Sequence, residues 1–187
     1  MLILERHTLM IFKKVIFLIL FCVCSIAYAD EIFDVRKIHW EMNSEEVIKS
    51  EDRALSINRR TMGIYPGYLI LSTTISYKEG LYSLLSYVLK DDHLVSVSYW
   101  FYPTKMNRKD YTKELYIDDF KQIQEDIEKQ YGKPSKIIID YQCIWNIDNT
   151  IAIHLIQKQS GSVSHGIIFY DANVWKSMGE NSVLLNP

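Results

Sequence analysis

The sequence predicts an α+β domain with antiparallel sheet, preceded by a signal peptide. An apolar leader ends before residue 30, and runs of alternating apolar and polar residues then follow one another directly. Two helical segments each precede several such runs, a pattern that favours an α+β fold over alternating β-α-β units. We therefore expect two helix-plus-antiparallel-meander halves, about 38–102 and 111–171, which form one exported domain spanning residues 30–187.

Residues 1–29 have the features of a secretory signal peptide. Lys13 and Lys14 give a positive start, Val15–Val23 is apolar, and Ala27-Tyr28-Ala29 is a small-x-small cleavage pattern. The apolar centre is shorter than the roughly 20 residues that span a bilayer. We expect export to the periplasm or the extracellular space, cleavage after Ala29, and no stable membrane anchor afterwards.

The charge balance argues against a nucleic-acid partner. The chain has 21 basic and 23 acidic residues. The leader holds three of the basic residues and one acidic residue, so 18 basic and 22 acidic side chains remain, a net charge of −4. No run of basic residues is longer than two. Binding to nucleic-acid phosphates requires a dense basic face, which this composition does not provide.

The cysteines predict a fold without disulfides. Cys22 and Cys24 lie in the leader, which leaves Cys143 alone in the exported part. A single thiol cannot form an internal disulfide in an oxidising compartment. The exported domain must therefore be stabilised by its core.

The first half begins with a short helix and continues as strands. Asn43 and Glu46 have capping-box spacing, and the helix is expected to end near Glu51 or Asp52. Tyr68–Tyr77 alternates as a strand does. Leu81–Leu89 and Leu94–Tyr102 form the clearest hairpin, joined through the turn Lys90–His93.

The second half repeats this order of elements. Apolar residues at helical spacing form a stripe: Ile117, Phe120, Ile123, Ile127 and Tyr131. Gly132 and Pro134 then end the helix. The strands expected after it are Ser135–Tyr141, Cys143–Ile147, Thr150–Gln157 and Val163–Tyr170, followed by a short helix around Val174, Trp175 and Met178.

The sequence carries no recognisable catalytic or cofactor motif. There is no G-x-S-x-G elbow and no glycine-rich phosphate loop. Cys143 lies in an apolar strand, whereas a reactive thiol needs an electropositive setting. The acidic pairs Asp91-Asp92 and Asp118-Asp119 suit a turn and the start of a helix. We expect no catalytic residue, no cofactor and no metal.

His154 and His165 are the weak metal candidates. They lie on the two arms of the last predicted hairpin, where the register decides whether they share a face. On one face they would be close enough for two metal ligands, but no third or fourth ligand is evident. The alternative is a pair of solvated or hydrogen-bonded strand histidines.

Aromatic residues give the best candidate for a binding surface. Trp100 and Tyr102 share one side of a strand, and we group Tyr87 with them. Exposed aromatic rings bind peptides or glycans well because they offer rigid area at low entropy cost. The alternative is a sheet that is packed on both sides.

Two short segments of the sequence resemble known envelope proteins. Trp40-Glu41-Met42-Asn43-Ser44-Glu45-Glu46-Val47 and Tyr131-Gly132-Lys133-Pro134 look like the start and the end of the helical part of SmpA/OmlA-type proteins. That resemblance implies a fold in which helices pack on a short antiparallel sheet. It also implies a role in the outer-membrane β-barrel assembly machinery, to which these small proteins belong. The two-copy plan is similar to that of β-lactamase-inhibitor-like proteins. Neither resemblance implies a catalytic residue.

These observations together predict a non-catalytic protein-binding or scaffold module, whose partner is an envelope or secreted protein. One alternative is a hydrolase that uses His154 or His165 with a carboxylate. The other is a secreted inhibitor of an enzyme.

Overall fold

One eight-stranded antiparallel sheet forms the centre of the computed structural model, which describes residues 38–60, 67–103, 113–139, 141–159 and 162–179. Its strands are β1 (Ser56–Arg60), β2 (Tyr68–Lys78), β3 (Leu81–Lys90), β4 (His93–Pro103), β5 (Lys136–Ile139), β6 (Gln142–Ile147), β7 (Thr150–Gln159) and β8 (Ser162–Asp171). The helices in the described residues are α1 (Ser44–Ser50), α2 (Lys113–Tyr131) and α3 (Ala172–Met178). The α+β class with antiparallel sheet is confirmed. The predicted signal peptide lies outside the described residues, none of whose helices is long and apolar enough to cross a membrane.

The strand order is β1-β2-β3-β4-β8-β7-β6-β5. Strands β1 to β4 form one meander and β5 to β8 form another, and the pairing of β4 with β8 joins them. That pairing runs from Ser96 opposite Tyr170 to Phe101 opposite His165. The middle of the sheet is therefore the seam between the two meanders.

Helix α1 begins at the predicted capping box. The Asn43 side chain accepts a hydrogen bond from the Glu46 amide at 3.0 Å, and the Glu46 carboxylate accepts one from the Asn43 amide at 2.9 Å. The predicted β3–β4 hairpin is also present. Its two-residue turn places Asp91 and Asp92 at φ values of 50° and 62°, as a type I′ turn requires. The Asp92 carboxylate accepts a hydrogen bond from the Ser44 amide, which links this turn to the start of α1.

Helix α2 buries the middle of the predicted apolar stripe against the sheet, while Ile117 and Tyr131 at its ends are half-buried. Phe120, Ile123 and Ile127 are all buried, and the helix ends before Gly132, whose φ is 80°. The indole N–H of Trp145 on β6 donates to the Gly132 carbonyl at 2.9 Å. The C-terminal end of α2 is therefore fixed to the sheet by a hydrogen bond as well as by packing.

A second core lies on the opposite side of β6, β7 and β8. Ile144, Ile153, Leu155 and Ile168 pack there with Trp175 of α3. Asp171 caps the N-terminus of helix α3, and its side chain accepts hydrogen bonds from the amides of Asn173 and Val174. Strands β6 to β8 are thus packed on both sides, by α2 on one side and by α3 on the other.

Strand β1 was not predicted. Its sequence, Ser-Ile-Asn-Arg-Arg, has no clear alternation and few β-branched residues. It pairs with β2 at the edge of the sheet, where short, charged strands are common. Tertiary pairing rather than local preference makes it a strand.

Candidate binding face and buried histidine pair

The first candidate site is the side of β2, β3 and β4 that faces away from α1 and α2. We call it the Trp100 face and define it by the side chains that alternate along these strands and lie side by side across them: Thr74, Ser76, Tyr82, Leu84, Trp100 and Tyr102. Thr74 and Ser76 are exposed, and the other four are half-buried. Tryptophan and tyrosine are thus partly accessible on a sheet surface without a charged side chain among these six residues.

Trp100 lies across the seam between the two meanders. It pairs with Gly166 of β8, and its indole occupies the space where a side chain at Gly166 would stand. A Cβ atom at Gly166 would lie only 2.6 Å from Cε3 and 3.0 Å from Cζ3 of that ring. Trp100 also packs against the core cluster that contains Trp175. One part of the ring is therefore fixed by the fold, and the half-buried remainder reaches the surface.

Tyr102 extends this face along β4. Its hydroxyl donates to the Thr74 hydroxyl across β3 at 3.4 Å, and Tyr82 lies directly opposite it on β3. Side chains in such cross-strand pairs stand roughly 5 Å apart. The structure therefore brings Trp100 and Tyr102 together, as the sequence predicted, and adds Tyr82 to them.

Tyr87 lies on the other side of the sheet. It pairs with Val97 rather than with a residue of the Trp100 face, and it is only 6% exposed. Its hydroxyl donates to the Glu51 carboxylate at 2.7 Å, next to the end of α1. Burial and this hydrogen bond raise the pKa of Tyr87 far above its ordinary value. The structure thus separates Tyr87 from the two residues with which the sequence grouped it.

The second candidate site is the pair formed by His154 and His165. His154 lies opposite Ile167 and His165 lies opposite Ile156, so both rings point to the side covered by α2. Their Nε2 atoms are 2.8 Å apart, and both residues are fully buried. Phe120 of α2 stacks on His154 with ring centroids 3.9 Å apart. The two histidines share a face, but they contact each other and an apolar layer.

Burial keeps both histidines neutral. Desolvation, with a smaller contribution from the nearby Lys78, lowers the pKa of His165 to about 3. Desolvation, with a smaller contribution from His165, holds the pKa of His154 well below its ordinary range. A hydrogen bond between two neutral imidazoles needs one ring that donates from Nε2 and one that accepts there. The remaining Nδ1 atom of each ring is buried and has no hydrogen-bond partner among the described residues.

The other candidate groups have structural partners. The Cys143 thiol is buried, donates to Gln124 at 3.6 Å, and has a pKa raised mainly by desolvation. Asp119 forms an ion pair with Lys78 at 2.7 Å, which connects α2 to β2. Within the described part of the chain, no group of three or more histidine, cysteine or acidic residues is arranged to hold a metal ion.

Gly166 and Ser83 are the residues that sequence reasoning missed. A glycine inside an apolar strand is a signal for a close approach by another group, and here that group is Trp100. Ser83 is fully buried on β3, and its hydroxyl has no partner among the described residues. No sequence signal distinguishes Ser83 from the other serines of β3 and β4.

No family model, curated protein or solved structure matches this chain.

Proposed function

We propose that this chain is a non-catalytic protein-binding module that is exported and that contacts its partner through the Trp100 face. The observation that carries the proposal is the group of partly accessible aromatic rings on this face, Trp100, Tyr82 and Tyr102. Tryptophan and tyrosine dominate the energetic hot spots of protein interfaces because they bury much area and lose little rotamer entropy. Fixing the Trp100 ring over Gly166 lowers that entropy cost further.

The hydroxyl groups around the aromatic rings support the same proposal. Thr74 and Ser76 are exposed on β2, in the same rows of side chains as Trp100 and Tyr102. Surfaces rich in tyrosine and serine are typical of antibody paratopes, where the aromatic rings act as anchors and small hydroxyl residues adapt to the partner. The six residues of the Trp100 face therefore favour a partner patch without concentrated charge.

The buried histidines favour the binding proposal over the hydrolase alternative. A general base must come within hydrogen-bond distance of the proton it removes, directly or through one water. His154 and His165 are fully buried and are hydrogen-bonded to each other rather than to a carboxylate. In the described structure neither ring is available to a substrate.

The order of elements supports a proposed duplication. Helix α1 precedes the β1–β4 meander and α2 precedes the β5–β8 meander, and the two meanders meet at the β4–β8 seam. This arrangement agrees with the resemblance to duplicated helix-plus-sheet proteins of the β-lactamase-inhibitor type. An enzyme would then be one class of partner, and the leader at residues 1–29 would carry the chain to the periplasm or out of the cell.

Affinity capture with surface variants tests this proposal. The exported chain is immobilised and incubated with an envelope or secreted fraction, and the captured protein is purified so that its affinity can be measured directly. Thr74→Arg places a long charged side chain on the Trp100 face from an exposed position, so it blocks the surface without entering the core. We expect at least a tenfold loss of affinity.

Glu125→Arg is the matched control, because Glu125 is exposed on α2 on the opposite side of the sheet. It should leave the affinity unchanged. Equal binding by the wild type and Thr74→Arg, with folding verified by circular dichroism, would refute the assignment of the Trp100 face. If the captured protein is an enzyme, its activity with and without the wild-type chain decides whether the module inhibits it.

A further inference from the structure

The His154–His165 pair lies where α2 contacts the sheet. Phe120 stacks on His154, with an angle of 7° between the rings, and lies 5.6 Å from His165. Tyr116, one turn earlier on α2, meets the edge of His165 at the same distance. The aromatic residues that hold α2 on β7 and β8 therefore rest on two titratable rings.

This contact offers nothing that would stabilise an added positive charge on either ring. Both rings are fully buried, and each has an Nδ1 atom without a hydrogen-bond partner among the described residues. An added proton would create a buried imidazolium that no carboxylate among the described residues contacts. An isolated charge in an apolar setting is strongly unfavourable, so protonation must be accompanied by access to solvent.

The groups around the pair reinforce this conclusion. From α2 the pair meets Tyr116 and Phe120, and from β4 it meets Phe101. The neighbouring residue on β6 is Cys143, which lies opposite His154 and donates to Gln124. The charged group that acts on His165 is Lys78, a cation already paired with Asp119. These neighbours are apolar, neutral or positively charged, and Asp119 is engaged by Lys78.

We propose that the His154–His165 pair makes the docking of α2 sensitive to acid, so that α2 separates from β7 and β8 when the histidines take up protons. The released rings reach water and become cationic. They then repel each other across the site that Phe120 had covered. Phe101 contacts His165, but the β3–β4 hairpin is otherwise held by its pairing with β2 and by the Tyr87–Glu51 hydrogen bond, neither of which involves the histidine rings.

Proton linkage gives the direction in which the stability of α2 docking changes with pH. In the docked state His165 stays neutral down to about pH 3, whereas a solvated histidine has a pKa near 6.5. The open state therefore binds more protons at His165 between about pH 3 and pH 6.5, and the docked state is most stable above that range. For each unit by which the pH falls, the ratio of open to docked protein should rise about tenfold if one histidine takes up a proton. It should rise up to about a hundredfold if both do.

Hydrogen exchange of the purified exported chain between about pH 7 and pH 4.5 tests this proposal. Exchange rates corrected for their intrinsic pH dependence should show α2 opening as the pH falls, before residues 81–103 open. His154→Leu with His165→Leu replaces both rings by apolar side chains and should abolish this pH dependence. His93→Gln is the control, because His93 is exposed in the β3–β4 turn, and it should behave as the wild type.

A measurement on the wild type keeps the proposal testable if the double variant does not fold. Nitrogen NMR of the histidine rings should show one ring protonated at Nε2 and the other at Nδ1, with neither titrating in the folded protein between about pH 7 and pH 5. Titration of either ring near its ordinary pKa would overturn the proposal. So would equal and simultaneous loss of protection in α2 and in residues 81–103, or an unchanged pH dependence in the folded double variant.

Discussion

Alanine at position 166 would place a methyl group beneath the indole of Trp100. The added Cβ would lie 2.6 Å from Cε3 of that ring and 2.9 Å from the backbone oxygen of Tyr99. Favourable contacts between carbon atoms lie at roughly 3.5–4.0 Å, so the ring must move by about 1 Å or the strands must separate. Such overpacking typically costs about 1–3 kcal/mol. We therefore expect Gly166→Ala to lower the free energy of unfolding by that amount.

A double-mutant cycle separates the contact with the ring from the contact with the backbone. Trp100→Leu removes the indole but keeps an apolar side chain against the core cluster. Gly166→Ala should then cost less, because only the Tyr99 oxygen remains within 3 Å of the new methyl group. We expect a coupling energy of at least about 1 kcal/mol between the two positions, measured by urea unfolding.

Gly80→Ala is the matched control for this cycle. A Cβ atom at Gly80 has nothing within 4 Å, and its cost arises from its positive φ of 80°. That cost should be the same with Trp100 and with Leu at position 100. If the effects of Gly166→Ala and Trp100→Leu add to within about 0.5 kcal/mol, the indole does not rest on Gly166 in solution. The proposal that the fold holds the Trp100 ring in place on the Trp100 face would then be refuted.

Substitutions at three positions test individual polar groups, each through the urea midpoint of unfolding. Asn43→Ala removes the acceptor of the α1 capping box and should cost about 1 kcal/mol, whereas Asn43→Asp should be nearly neutral. Ser83→Ala removes a buried hydroxyl without a described partner, so stability should stay the same or rise; a clear loss would reveal a hidden partner. Tyr87→Phe removes the hydrogen bond to Glu51 and should cost about 1.5–3 kcal/mol, and an unchanged midpoint would contradict that contact.

The elements that the sequence predicts well are those with local signals. The capping box of Asn43 and the glycine that ends α2 are read within a few residues of each helix end. The β3–β4 hairpin follows from alternation on both sides of an acidic turn. Strand β1 has no comparable signal, because it is a strand only through its pairing with β2. Local chemistry thus determines the helices and hairpins, and long-range pairing determines the edge of the sheet.

The candidate site depends on register, which the sequence leaves open. In the β3–β4 hairpin the pairing shifts by one residue between Val88 and Leu89, so that Tyr87 lies opposite Val97. Without this bulge Tyr87 would lie opposite Ser96 and would share a face with Trp100. A shift of one residue exchanges the faces of a strand relative to its partner. The grouping of Tyr87 with Trp100 therefore required a register that the hairpin does not adopt.

The two sites meet on consecutive residues of β8. His165 points toward α2 and Gly166 points toward Trp100, since neighbouring residues of a strand face opposite sides. Each departs from what stability alone would favour: a histidine without full hydrogen bonding in a core, and a glycine within a strand. Departures of this kind concentrate at functional positions in natural proteins. Because the two side-chain directions are opposite, changes at position 165 should alter α2 docking while leaving the Trp100 face in place.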